Sequence, residues 1–285
     1  MEIEPEHIVS MVERFICIIG ILLFGTWLLK TSFGRKALAH STPRRNCMPL
    51  YMPLVPLFLW LGGVSFTMLI AQHLLADPQS WIPAEPGPWQ EAFLANLLLG
   101  LGAIGTIVVI VVLVKASFAR GLKGFGLHVK TMHKDLFAAI VNLLSIWPLL
   151  LVTIIIITFF GRLFFGQQYQ IEQHTELDMI TSYPQPALRV LIIIVAVIIG
   201  PVLEEMLFRG LVQTVIRSYL VWPWLSVAIS SFLFAVAHED VAHWPILLVL
   251  GLCMGYAYER SGSLLRPIFI HSLFNGVVIT SVLIQ

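Results

Sequence analysis

The stretch LIIIVAVIIGPVLEEMLFRGLV, residues 191–212, decides how the chain is read. It is apolar along nearly its whole length and long enough to cross a bilayer, which takes about 20 apolar residues in a helix. Yet it carries Glu204, Glu205 and Arg209 in mid-segment. Each ionisable group in such a position costs about 2.5–3.5 kcal/mol on insertion scales, so these three are functional candidates by default.

The rest of the chain has the same character. Of 285 residues, 58% are hydrophobic and 12% charged, and the mean hydropathy is +0.89. A soluble domain carries about 25% charged residues, so the natural solvent of this chain is lipid. Apolar runs lie at roughly 14–30, 50–75, 92–115, 136–160, 188–218, 222–238, 244–258 and 264–284. They predict an all-α, polytopic transmembrane helix bundle of about eight spans. The seventh run is short, which predicts a tilted or partly spanning helix. The runs lack the residue-by-residue alternation of a membrane β-barrel. Glu2, Glu4, Glu6 and Glu13 precede the first run, whereas a secretory signal begins basic, so that run reads as a retained span.

A net charge of +1 offers no footprint for nucleic acid. Cys17, Cys47 and Cys253 are far apart in sequence and form neither a disulfide framework nor a CxxC metal pair. Glycines at 100, 102 and 105, and again at 251 and 255, predict close helix contacts.

Basic residues set an expected orientation. Lys30, Arg35, Lys36, Arg44 and Arg45 fall in the first connection, and Lys115, Arg120, Lys123, Lys130 and Lys134 in the third. The second holds Asp77, Glu85 and Glu91, and the fourth Glu172, Glu176 and Asp178. The positive-inside rule then puts connections one and three in the cytoplasm. The first four spans hold few ionisable groups and the last four a cluster, which divides the chain into a four-span region, 1–187, and a site-bearing region, 188–285.

Glu205 and Arg209 are four apart and can pair along one helix face. Successive residues point about 100° apart, so Glu204 is left to face a cavity, where a carboxylate can serve as general base. The bland reading is a buried ion pair with a spare glutamate. His238 lies near the end of the apolar run SFLFAVAHED, a place where a lone histidine is more often a satisfied polar group than a catalyst. His271 and Asn275, in RPIFIHSLFNG, are four apart on one face. They can donate to a developing oxyanion or simply tie helices together. Two carboxylates, two histidines, an amide and an arginine suffice to activate a water and stabilise a tetrahedral intermediate.

EEMLFR, FAVAH and HSLFN follow one another in the order of the EExxxR, FxxxH and HxxxN/D motifs. The chain from about 188 to 282 therefore resembles the CPBP family of CAAX-processing and bacteriocin-processing membrane proteases, also called Abi, and its prokaryotic members above all. The resemblance implies an intramembrane peptidase in which Glu204 and His238 activate the water and His271 and Asn275 form the oxyanion site. Glu205 and Arg209 occupy the remaining motif positions. It implies a membrane-associated peptide or protein substrate, prenylated in some members, and an active-site cavity within a prokaryotic cell membrane. Helix rise counted from the expected span ends puts that site in the membrane interior, opening towards the cytoplasm.

The family is often called metalloprotease, and Glu204, His238 and His271 are the conditional ligands of a zinc site. A metal-free water mechanism is the alternative this reading favours. The tempting HEDVAH has its histidines five apart, so it does not form the HExxH face; Glu239 and His243 read as helix-end surface residues. Two other functions compete: a proton-coupled transporter, in which intramembrane Glu and His act as relays, and a non-catalytic immunity or scaffold factor.

Overall fold

A computed structural model describes residues 5–76, 87–171, 175–220, 222–238 and 240–284. Glu2, Glu4, Asp77, Glu85, Glu172 and Glu239, which the sequence reading used, lie outside the described residues. Helix is the regular structure throughout; the described residues add one isolated bridge between Asn46 and Phe118. The helices are α1 (Pro5–Lys30), α2 (Leu54–Ala76), α3 (Pro88–Ser117), the short α4 (Gly121–Phe125), α5 (Met132–Phe165) and α6 (Thr175–Ser182). A continuous helical segment, Pro186–Tyr219, follows, built of α7 (Pro186–Ile194), α8 (Gly200–Glu205) and α9 (Thr214–Tyr219) joined by two π-helical stretches. Then come α10 (Pro223–Val236), α11 (Trp244–Ser261) and α12 (Leu265–Ile284).

Each of the eight expected spans is thus a helix. Among the described residues, five helices are long and apolar enough to cross a membrane: Pro88–Ser117, Val129–Phe165, Pro186–Tyr219, Val241–Ser261 and Leu265–Ile284. The protein is an integral membrane protein, and its outer side chains agree. Phe137, Ile155 and Phe164 of α5 are 70%, 65% and 73% exposed, which only lipid makes tolerable at this density. The short span is not the seventh but the sixth. Pro223–Val236 has 14 residues, about 21 Å at 1.5 Å each, against a hydrocarbon core of about 30 Å. Pro223 starts it, and Ala237 already departs from it as C-cap.

Proline opens α3, α7 and α10 at a position where its missing N–H costs nothing. Gly262, at φ 72°, closes α11 in the left-handed conformation that glycine adopts without penalty.

Two compact units make up the chain. One comprises residues 1–43, 128–171 and 216–270. In it, α5 packs against α1 and α11, and α10 against α11. A Cβ on Gly20 of α1 would collide with the Leu144 carbonyl and the Pro148 ring of α5. Pro148 has no N–H for that carbonyl, and glycine lets the helices touch backbone to backbone there. Gly251 and Gly255 are buried, as expected of a contact face. Asp135, 1% exposed, accepts from Thr131 and Ser263 at 2.7 Å and from Arg266 at 3.0 Å. A second buried ion pair joins Arg217 to Glu259 at 2.9 Å.

The other unit comprises residues 44–127, 172–215 and 271–285. Here α3 packs against α2, α7 and α8, and Leu177, Ile180, Leu188, Ile192 and Ile279 form its apolar centre. Of the three glycines singled out on α3, Gly100 makes a close approach, since a Cβ there would lie 3.1 Å from Val195 Cγ2. Gly105 faces open space, so no helix contact requires it. The boundary between the units falls within α12, between Ile270 and His271.

Candidate active site

The second unit gathers five of the six candidates. Arg209 Nη1 donates to Glu205 Oε1 at 2.9 Å, and both side chains are fully buried. The four-residue pairing expected on an α-helix therefore forms, although Met206–Gln213 is π-helical. The wider turn shows in Thr214 Oγ1, which donates to the carbonyl of Arg209, five residues back. π-Turns recur at functional sites because they re-aim side chains within an otherwise regular helix.

His271 joins this pair from α12. Its Nδ1 lies 3.0 Å from Glu205 Oε1, and its Nε2 lies 3.9 Å from Glu204 Oε2. A carboxylate held by an arginine can only accept, so Nδ1 carries the proton and Nε2 is the nitrogen presented to Glu204. The separation on that side is too long for a direct hydrogen bond. The Glu204 side chain is 14% exposed and that of Glu205 is 0%. The two adjacent carboxylates thus differ in surroundings: one is locked in a fully buried ion pair, and the other keeps 14% exposure.

Asn275 lies one turn beyond His271, and its Nδ2 donates to the carbonyl of Ala196 at 2.8 Å. The sequence explains why that carbonyl needs a partner. In the π stretch Val195–Ile199, the N–H of Gly200 donates to Val195 O rather than to Ala196 O. The next residue in that register is Pro201, which has no N–H. Ala196 O is thereby orphaned inside a membrane helix, where water is not at hand to satisfy it, and the Asn275 amide supplies the missing donor. One of the two amide hydrogens is committed in this way, leaving the second for any oxyanion.

His238 belongs to the first unit and lies two residues beyond the end of α10. Its Nδ1 is 2.9 Å from the carbonyl of Phe234, which can only accept, so the proton sits on Nδ1 and the lone pair on Nε2. The ring packs edge-on against Phe234 at 4.9 Å, and its own carbonyl accepts from Trp244 Nε1 at 2.9 Å. His243 pairs with Asp240 in a one-turn helix and takes no part in these contacts.

Glutamate and two imidazole Nε2 atoms are donor types that suit zinc. Among the described residues, however, no three His, Cys, Asp or Glu side chains are gathered to hold a metal ion. Of the conditional ligands, only Glu204 and His271 share a compact unit.

Residues 186–277 match the family described as type II CAAX prenyl endopeptidase Rce1-like. The likeness is confined to that segment, about a third of the chain. The Bacillus subtilis (strain 168) protein named "Putative membrane peptidase YdiL" is 31% identical over 103 residues, covering 36% of this chain and 39% of that protein. The Staphylococcus aureus (strain USA300) protein named "Membrane-embedded CAAX protease MroQ" is 34% identical over 87 residues, covering 29% and 35%. An uncharacterized 24.3 kDa protein of Escherichia coli is 38% identical over 101 residues, covering 34% and 45%. The chain thus spans less than half the length of these curated relatives. No solved structure matches it. The matched segment carries all six candidate residues. The sequence reading passed over two polar groups that the structure pairs, the Ala196 carbonyl with Asn275 and the buried Glu259 with Arg217. The acid in the apolar run before Arg260 was a signal for the second; the orphaned carbonyl was signalled only by Pro201.

Proposed function

We propose that the protein is an intramembrane endopeptidase of the CAAX-processing type, which hydrolyses a peptide bond with a water activated by Glu204. The observation that carries the reading is the buried cluster of Glu205, Arg209 and His271 beside the more open Glu204, within a segment that matches an endopeptidase family.

Glu204 takes a proton from the water while its oxygen attacks the substrate carbonyl carbon. The resemblance of FAVAH to the FxxxH motif assigns His238 to the same step, with Nε2 as the accepting nitrogen. The carbonyl oxygen becomes an oxyanion, and donors placed for it lower the barrier. His271, held through Nδ1 by Glu205, presents Nε2 to the site and donates from it when that nitrogen carries a proton. Asn275 donates through its second amide hydrogen. The proton held by Glu204 then passes to the leaving amine. No step is assigned to a metal.

The substrate is a membrane-associated peptide, and a farnesylated CAAX peptide is the first probe. By the positive-inside rule its scissile bond is reached from the cytoplasmic side. Purified protein in detergent should cleave a quenched fluorescent peptide of this kind, and the Glu204→Ala variant should not. Equal cleavage by both would refute the assignment of the base. Absence of cleavage by either would refute the prenyl-peptide substrate. Activity should survive exhaustive chelation; loss restored by zinc would overturn the metal-free mechanism.

A further inference from the structure

The first unit contains a cavity of about 340 Å³ lined by Arg35, Leu38, Ala39, Ser41, Arg217, Trp222, Pro223 and Trp224. It has no part in the peptidase chemistry. Four features give it a chemical preference. Arg217 is 7% exposed, and its charge is balanced by Glu259 at 2.9 Å, while Nη1 donates to Leu220 O at 2.9 Å. That side chain is therefore a fixed wall rather than a mobile cation. Arg35 is exposed and forms no ion pair among the described residues, so its charge is uncompensated. The Ser41 hydroxyl is buried and has no hydrogen-bond partner among the described residues. Finally, the cavity abuts the first residues of α10, a 14-residue helix whose positive dipole end favours an anion.

The surroundings point to the source of the anion. Trp222, at the rim, is 73% exposed, and Leu29 and Phe33, shortly before Arg35 in the chain, are 76% and 74% exposed. Aromatic and aliphatic side chains in this setting mark the headgroup level of a bilayer. Lys30, Lys36 and Arg260 add further positive charge, with Arg260 Nη1 donating to Ala37 O at 3.1 Å. Basic pockets between membrane helices, beside a basic connection, bind lipid phosphates.

We propose that this cavity binds the phosphate headgroup of an anionic membrane lipid, with Arg35 supplying the charge and Ser41 a hydroxyl donor. Trp222 packs against the glycerol and upper acyl region. The inference is independent of peptidase activity.

The test is thermal unfolding of the full chain in a neutral detergent, titrated with dioleoyl phosphatidylglycerol, dioleoyl phosphatidylcholine or inorganic phosphate. Phosphatidylglycerol should raise the unfolding temperature with saturation, and phosphatidylcholine should not. Arg35→Ala should weaken the apparent affinity about fivefold, and Ser41→Ala should weaken it further. Lys36→Ala removes the same charge from a neighbouring exposed position outside the cavity and should change it less than about twofold. Equal losses in the Arg35 and Lys36 variants would mean diffuse attraction and would overturn the site. A saturating, Arg35-dependent response to inorganic phosphate equal to that of the lipid would make the occupant a soluble phosphate and overturn the lipid assignment. So would equal responses to the two lipids.

Discussion

Asn275 offers the sharpest test of how this site is built. Its amide donates to Ala196 O at 2.8 Å, and that carbonyl lacks a helical partner because Gly200 N–H bonds Val195 O and Pro201 has no N–H. Asn275→Ala leaves the carbonyl unsatisfied where water is scarce, at a cost of about 1–3 kcal/mol. Pro201→Ala restores an N–H. The segment can then continue the i→i+5 register or relax to α-helix, in which Gly200 returns to Ala196; either way the carbonyl is satisfied. In the Pro201→Ala background, Asn275→Ala should therefore cost about 1 kcal/mol less than in the parent, a coupling that a double-mutant cycle resolves. Denaturant unfolding in mixed micelles gives the four stabilities, and peptide cleavage is measured beside them. Recovery of stability without recovery of cleavage would separate an oxyanion role for Asn275 from its structural one. Equal costs of Asn275→Ala in the two backgrounds would refute the account of Pro201 and the orphaned carbonyl.

The two adjacent glutamates should part company. Glu204→Gln should lower cleavage by about 10²–10⁴-fold, the usual worth of a general base, with stability nearly unchanged. Glu205→Gln should instead destabilise the protein by about 3–5 kcal/mol, because it leaves the fully buried Arg209 without its carboxylate. Gly210→Ala should cost about 1–3 kcal/mol, since its Cβ would enter the ring of the fully buried Phe125; Phe125→Leu in the same chain should recover part of that loss, as read by denaturant unfolding. Asp135→Ala should destabilise by about 3–5 kcal/mol through the loss of its bonds to Thr131, Ser263 and Arg266. Single-turnover cleavage by the protein that remains folded should be little affected.

Much of this protein was legible in the chain alone. Hydropathy is a local property, and an unsatisfied backbone in lipid is so costly that apolar runs of this length become helices. That is why all eight runs appear as helices near their expected places, and why Glu204, Glu205, Arg209 and His271 stood out before any coordinates. The Glu205–Arg209 pair was legible for the same reason, since four-residue spacing places both on one face whatever surrounds them. Helix ends were less legible. The sixth helix proved the short one because Ala237 leaves the helix before His238, although the apolar pattern runs on to that residue.

Tertiary structure alone decided what depends on residues far apart in sequence. Nothing in the spacing of residues 204–209 and 271–275 says that one imidazole meets both glutamates, with Nδ1 on Glu205 and Nε2 towards Glu204. Nor does it say that the Asn275 amide turns to a backbone carbonyl. Those contacts arise because π-helical stretches shift the register around Pro201 and Arg209, and a π-turn persists only where tertiary contacts satisfy the groups it displaces. The pairing of Arg217 with Glu259 and the bonds of Ser263 and Arg266 to Asp135 are of the same kind. The sequence by itself determined that charged groups lie within the membrane; packing determined which partner neutralises each, because a buried charge is stable only beside the side chain that folding brings to it.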